Sequence, residues 1–249
     1  MTQLARQIGP YRVIAEPAAG RSVLVEDFRG RRLVIKAVES DCLLRGQLHP
    51  SIRERLTRVR ELAQKNVAAL LGVEKHQEQV YLVWAHVAGE PIQAYASRAG
   101  ADQLLTLVRE LLLAVETLHA RGIVHGALHS GNIIVDRHGR IHLIDISPLL
   151  YDDPAADEAA IARLIEQLLT DRPDDPRLSR LLEVVRGPSR GLTALRMRVS
   201  ALLATGLDPE QLPGRRARDK LRRRTLLAAL LAALVGVAIS WAILQNVSP

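Results

Sequence analysis

The alternation of hydrophobic and polar positions over residues 11–87 predicts a small sheet interrupted by one helix. Short runs of β-branched and aromatic residues, separated by turns that contain glycine or proline, are typical of strands. Such runs lie at Tyr11–Ala15, Ser22–Asp27, Leu33–Val38, Val67–Val73 and Gln79–Val87. Between the third and fourth runs, Ile52–Gln64 has apolar residues at helical spacing and a charged opposite face. The predicted order is therefore three strands, one helix and two strands.

After residue 91 the pattern becomes mostly helical. Asp102–Ala120 carries leucine or valine on nearly every side, so we expect a helix that is buried all round. A hairpin turn is predicted at 136–139, between strands at Ile133–Val135 and Arg140–Ile144. From Asp157 onward, three more helices are predicted, at 157–170, 176–186 and 191–204.

The last long hydrophobic run has no charged residue and no polar face. It covers Thr225–Leu244, TLLAALLAALVGVAISWAIL. A helix of that length spans about 30 Å, the thickness of the hydrocarbon core of a bilayer. The pattern predicts a transmembrane helix at 225–244, preceded by a linker and basic segment at 206–224 and followed by a short tail at 245–249.

Charge sharpens this prediction. The formal net charge is +7, but residues 215–224 hold seven basic residues and one acidic residue, so the rest of the chain is close to neutral. Basic residues beside a span mark its cytoplasmic side, which places residues 1–214 in the cytoplasm and the C-terminus outside. The basic run is also compatible with a nucleic-acid patch, but seven aromatic residues in 249 argue against a base-stacking surface. With one cysteine, Cys42, and no signal peptide, we expect a tail-anchored protein of a bacterial inner membrane.

Three short motifs lie on the predicted elements, and their order along the chain is informative about the family. They are LVIK at 33–36, HGALHSGN at 125–132 and LIDIS at 143–147. In this order the chain resembles the protein-kinase superfamily over about residues 10–205. The resemblance implies an α+β, two-lobed fold with an N-lobe at 1–90 and a truncated C-lobe at 91–205.

The resemblance also implies a nucleotide site with ATP and magnesium as its ligands. Lys36, Val87, Asn132 and Asp145 would line that site, with Lys36 on the phosphates. Asn132 and Asp145 would hold magnesium, a cation that prefers oxygen ligands. Trp84 falls at the gatekeeper position, where its bulk would narrow the adenine pocket.

Several departures from the family pattern bear on activity. Ala127 stands where the family has its catalytic aspartate, and loss of a general base commonly lowers rates by about 10²–10⁴-fold. Ser147 replaces a glycine, and the loop at 16–22 retains a single glycine. Only eleven residues separate Asp145 from Asp157, the aspartate that resembles the one opening the central C-lobe helix, which leaves no room for a typical activation segment.

No carboxylate on the predicted helix at 52–64 aligns cleanly with the family's usual partner of the lysine. Glu54 and Glu61 are both candidates for that position, and Val59 is a third occupant. Taken together, these departures predict a pseudokinase.

Three functions are consistent with these motifs. The preferred one is a membrane-anchored pseudokinase that acts in signalling as a scaffold or allosteric regulator of a cytoplasmic or membrane protein and binds no nucleic acid. An active, atypical ATP-dependent phosphotransferase is the alternative. A membrane adaptor that binds no nucleotide is the second alternative.

Overall fold

The computed structural model describes residues 6–15, 22–62, 66–151, 153–170, 175–188 and 191–205 of the chain. The predicted span at 225–244, the linker and basic segment at 206–224, the tail and most of the loop at 16–22 lie outside these residues. None of the helices within the described ranges is long and apolar enough to cross a membrane.

The N-terminal lobe is a six-stranded antiparallel sheet with one helix beside it. Its strand order is β1-β2-β3-β4-β8-β7, and a two-stranded hairpin, β5-β6, precedes the helix. The elements are β1 (Gln7–Ile8), β2 (Tyr11–Ala15), β3 (Ser22–Glu26), β4 (Arg32–Ala37), β5 (Leu43–Leu44), β6 (Gln47–Leu48), α1 (Pro50–Arg60), β7 (Leu70–His76) and β8 (Gln79–Ala85).

The predicted order of three strands, one helix and two strands is confirmed, with small differences at the ends of elements. Helix α1 ends at Arg60, short of the predicted Gln64. Strand β7 begins at Leu70, and Val67 forms only an isolated bridge to Leu143. The hairpin β5-β6 was not predicted, because its strands have two residues each and are too short to show a period.

The C-terminal lobe combines five helices with a three-stranded sheet of order β11-β10-β9. Its elements are β9 (Glu90–Pro91), α2 (Ile92–Ala96), α3 (Ala101–His119), β10 (Ile133–Val135), β11 (Ile141–Leu143), α4 (Ala155–Leu169), α5 (Pro176–Arg186) and α6 (Gly191–Thr205). Nine of the nineteen residues of α3 are buried, and the helix packs most extensively against α6. The expectation of burial on all sides is wrong, because Asp102 and Gln103 in the first turn are exposed and Leu113 is 42% exposed.

One hydrophobic core runs through both lobes and fixes their junction. Side chains of α1 such as Ile52 and Leu56 belong to the same buried cluster as Leu143 and Ile146. Backbone hydrogen bonds reinforce this contact, since Leu143 donates to the carbonyl of Asn66 and accepts from the N–H of Ala68, both at 2.9 Å. The two lobes that the sequence implies are therefore present and packed together, with the segment after β11 between them.

Candidate nucleotide-binding site

The centre of the site is an ion pair between the two lobes. Lys36 lies near the end of β4, and its Nζ atom is 2.6 Å from Oδ1 of Asp145, which follows β11. The side chains are 20% and 26% exposed, so solvent screens this pair only in part. Asp145 has a φ of 61°, a left-handed conformation that is uncommon outside glycine and is found at functional sites.

Asn132 lies beside this pair at the end of a single 3₁₀ turn. Its Nδ2 atom donates to the carbonyl of Ala127 at 2.8 Å, and its own backbone carbonyl accepts from the N–H of Ile144 at 3.0 Å. Because the amide nitrogen makes the bond to Ala127, the side-chain oxygen remains for a cation. That oxygen and the carboxylate of Asp145 are ligands of the kind magnesium prefers.

The structure thus pairs Lys36 with Asp145, and a backbone hydrogen bond joins Asn132 to Ile144, the residue before Asp145. The donor set fits a nucleotide with magnesium: one ammonium for phosphate oxygens, and one amide oxygen and one carboxylate for the cation.

Trp84 lies on the face of the sheet that carries Lys36. In the antiparallel pair of β4 and β8, Val34 lies opposite Trp84 and Lys36 lies opposite Leu82, and residues two apart on a strand share a face. The indole is only 4% exposed, so it fills space on this face of the sheet. Val87 follows β8 and is half-buried against the core. Its contact with a nucleotide remains a prediction.

Asp157, in the first turn of α4, holds the loop that carries Ala127 through hydrogen bonds to its backbone. This carboxylate is 1% exposed and accepts backbone N–H groups from His125 at 2.7 Å and Gly126 at 2.9 Å. A ring nitrogen of His119 lies 3.0 Å from it. Burial alone would raise the pKa of Asp157, but these hydrogen bonds outweigh burial and leave the pKa lowered. Asp157 is therefore an ionised structural group beneath the loop.

His125 is the most deeply buried polar residue of this loop, with no exposed surface. Its Nδ1 atom accepts the N–H of Ala127 at 3.3 Å. Burial lowers the pKa of His125 to about 4, although the charges of Asp157 and Asp145 act in the opposite direction. His125 is thus neutral at physiological pH and supports the shape of the loop.

The short segment after Asp145 folds back over the same loop. The N–H of Ser147 donates to the carbonyl of His125 at 2.9 Å. Farther along, the ring of Tyr151 lies so close to Gly126 that a Cβ there would be 2.3 Å from a ring carbon. Gly126 also has a φ of 72°, so the position favours glycine twice over. The aromatic ring therefore covers the residue next to Ala127, a contact that the sequence did not reveal.

Helix α1 points an arginine, and neither of its candidate glutamates, toward the segments beside the site. Glu54 and Glu61, the sequence candidates, are both exposed, and Val59 is buried. Arg55 is 2% exposed, and its Nε donates to the carbonyl of Ser147 at 3.0 Å. A second guanidinium nitrogen donates to the carbonyl of Val124. The available signal was its place on the apolar face of the helix, three residues after Ile52 and four before Val59.

Comparison with known proteins agrees with this geometry. Residues 21–147, just over half of the chain, match the protein kinase domain family. CBL-interacting protein kinase 9 of Oryza sativa subsp. japonica is 25% identical over 146 residues, covering 56% of this chain and 32% of that protein. Sperm motility kinase 2B of Mus musculus is 32% identical over 83 residues, covering 32% of this chain and 17% of that protein. The chain therefore aligns with a third or less of these curated relatives.

Solved structures give the same fold. The kinase domain of PknI from Mycobacterium tuberculosis superposes with a TM-score of 0.58 at 16% identity, covering 79% of this chain and 97% of that domain. A second structure of the same domain gives a TM-score of 0.59 at 15% identity, with 79% and 96% covered. At such identities the likeness concerns the two-lobed fold alone.

Proposed function

Because this chain belongs to the protein kinase domain family, we propose that it is a membrane-anchored pseudokinase that binds ATP with magnesium and acts as a scaffold or allosteric regulator. The observation that carries the proposal is Ala127. A methyl group stands where phosphoryl transfer needs a carboxylate to orient a hydroxyl and accept its proton.

Three aspartates of the site and of the segment that follows it already have partners within the described residues. Asp157 accepts two backbone N–H groups beneath the loop, and Asp145 is paired with Lys36. Asp153 accepts the N–H of Ala155 at 2.8 Å, at the start of α4. Tyr151 in addition covers Gly126, the residue next to Ala127. These contacts support a domain that binds a nucleotide without transferring its phosphate.

Nucleotide binding is supported by the three polar residues that the fold keeps together. Lys36 would contact the phosphates, while Asn132 and Asp145 would hold the magnesium ion, which supplies charge neutralisation when bound. In the proposed binding mode the ion pair of Lys36 and Asp145 opens, because the phosphates and the magnesium ion compete for the two charges. A ligand that favours the open arrangement shifts the population of conformers, which is how a non-catalytic domain can regulate a partner.

The proposed location is the inner membrane of a bacterium. The uncharged run Thr225–Leu244 would anchor the chain, and the basic residues of 215–224 would keep residues 1–214 in the cytoplasm. The partner would be a cytoplasmic protein or a neighbouring membrane protein. Nucleic acid is not part of the proposal, because the charge is concentrated beside the anchor.

The first prediction concerns nucleotide binding. We expect ATP with magnesium, at about 100 times its dissociation constant, to stabilise the full chain in detergent by about 2.7 kcal/mol, a rise in unfolding temperature of roughly 5–11 °C. Asp145→Ala should abolish the rise, because it removes the carboxylate ligand. The matched control is Asp41→Ala, an exposed aspartate that should leave the rise intact. No rise with the unmodified chain would favour an adaptor that binds no nucleotide.

The second prediction concerns transfer. The full chain incubated with ATP and magnesium should yield no phosphorylated product by mass spectrometry, on itself or on copurifying proteins. Turnover that disappears in Lys36→Ala would instead establish the atypical phosphotransferase.

A further inference from the structure

Arg55 lies where three segments of the protein meet. It projects from the buried face of α1 toward two backbone carbonyls, that of Val124 before the Ala127 loop and that of Ser147 after Asp145. These two segments are also joined to each other, by the hydrogen bonds from Ser147 to His125 and from Ile144 to Asn132. The Arg55 side chain therefore connects α1 of the N-terminal lobe to the loop before Ala127 and to the segment after Asp145.

The chemistry of this connection is specific to arginine. The guanidinium is a planar fork with five donors, and it can serve two carbonyls that point toward it from different segments. Its charge strengthens each bond, and the 2% exposure of the side chain removes most competition from water. Lysine offers a single point of donation and does not reproduce this geometry.

A nucleotide would affect the hydrogen bonds of Arg55 differently from the ion pair of Lys36 and Asp145. Lys36 and Asp145 connect the lobes through the groups that would themselves bind phosphate and cation. Arg55 connects the lobes through carbonyls of Val124 and Ser147, which are not among the proposed ligand contacts. Opening the ion pair does not in itself break either of these two hydrogen bonds.

We propose that Arg55 is a positioning residue that holds α1, the loop at 124–132 and the segment at 144–151 together as one unit, whether or not the ion pair of Lys36 and Asp145 is closed. Helix α1 then keeps its position beside the site when a ligand binds, and the ion pair of Lys36 and Asp145 is the contact that the ligand opens. The statement about the unit is independent of nucleotide binding, whereas the statement about the ion pair rests on the proposed function.

Hydrogen exchange of the full chain in detergent, without nucleotide, tests the unit directly. In Arg55→Met, the amides of Ile144 and Ser147 should exchange about tenfold or more faster, because their segments lose charge-assisted bonds to the helix. Amides in the middle of α3, such as those of Leu111 and Leu112, report global opening and should change by a smaller factor. Arg53→Met, an exposed arginine on the same helix, is the matched control and should change neither group.

Arg55→Lys provides the second variant, which keeps the charge and is read in its own right if Arg55→Met does not fold. It should accelerate the same two amides by an intermediate factor and leave α3 protected. Equal acceleration of α3 and of the two loop amides would overturn the proposal, because Arg55 would then contribute only to global stability. Unchanged exchange of Ile144 and Ser147 would overturn it as well.

A second hydrogen-exchange measurement, with nucleotide present, tests whether α1 stays fixed when a ligand binds. With ATP and magnesium bound to the unmodified chain, amides of α1 should keep their exchange rates, and a marked change in α1 would contradict its fixed position. If the thermal measurement shows no binding, this second measurement falls with the proposed function, while the result without nucleotide still decides whether Arg55 holds the unit.

Discussion

Asp157→Ala should lower the free energy of unfolding by about 3–5 kcal/mol, because it leaves buried donors without an acceptor. The carboxylate lies beneath the loop of His125 and Gly126, accepts both backbone N–H groups and contacts His119. Total stabilities of domains are only about 5–15 kcal/mol, so this loss is a large fraction. For a chain of this size the unfolding temperature should fall by roughly 6–20 °C.

Glu158→Ala is the control for this measurement. Glu158 lies next to Asp157 in the first turn of α4, so its removal takes away the same charge from the same helix terminus without touching the loop. We expect a loss of about 1 kcal/mol or less from the helix dipole. Thermal unfolding of the full chain in detergent measures both variants. Similar losses in the two would mean that the negative charge at the start of α4, and not the hydrogen bonds to the loop, stabilises the protein.

Asp157 illustrates how far the sequence leads. The family resemblance implied that Asp157 opens the central helix of the C-lobe, and in the structure it lies in the first turn of α4, two residues after the helix begins at Ala155. The helices and strands were predictable from their pattern, since a period of 3.6 or 2 residues is a local property. The two-residue strands β5 and β6 and the five-residue helix α2 show no clear period and were missed, although the three-residue strands β10 and β11 were predicted from the hairpin turn between them.

The site residues also differ in how far the sequence predicts them: motif residues were predicted, and contacts that depend on tertiary packing were not. Lys36, Asn132 and Asp145 belong to motifs, and their motifs predicted that they would meet. Arg55 and Ser147 are 92 residues apart in the chain, and their contact depends on how α1 packs against the segment after β11. Tyr151 and Gly126 meet because that segment is short and folds back. Neither contact has a local signature, apart from the unusual place of an arginine on an apolar helix face.

The loop that carries Ala127, in the motif at 125–132, is held by polar contacts on several sides. Ala127 alone describes a loss, but Asp157, Arg55 and Ser147 hold the loop around it in a defined conformation. The loop is therefore held in shape by buried polar groups, although Ala127 gives it no carboxylate to position.

Acid should destabilise the protein through His125, starting at a pH where carboxylates are still ionised. Burial lowers the pKa of His125 to about 4 in the folded chain, against about 6.5 for the unfolded chain. In that window the unfolded chain binds a proton that the folded chain does not, so the free energy of unfolding falls as the pH falls. The contribution is complete above the unfolded value, and about 2 kcal/mol of it is lost between about pH 7 and about pH 5.

His125→Gln separates this effect from other titrations. Glutamine stays neutral at both pH values and keeps an oxygen that can accept the N–H of Ala127, so the variant should lose about 2 kcal/mol less than the unmodified chain between about pH 7 and about pH 5. His138→Gln, at an exposed histidine, should retain the full dependence. Thermal unfolding of the full chain in detergent at the two pH values supplies the comparison. An unchanged pH dependence in His125→Gln would assign the acid sensitivity to another group, because only the difference between the two pH values, and not the absolute stability of the variant, reports the proton on this buried ring.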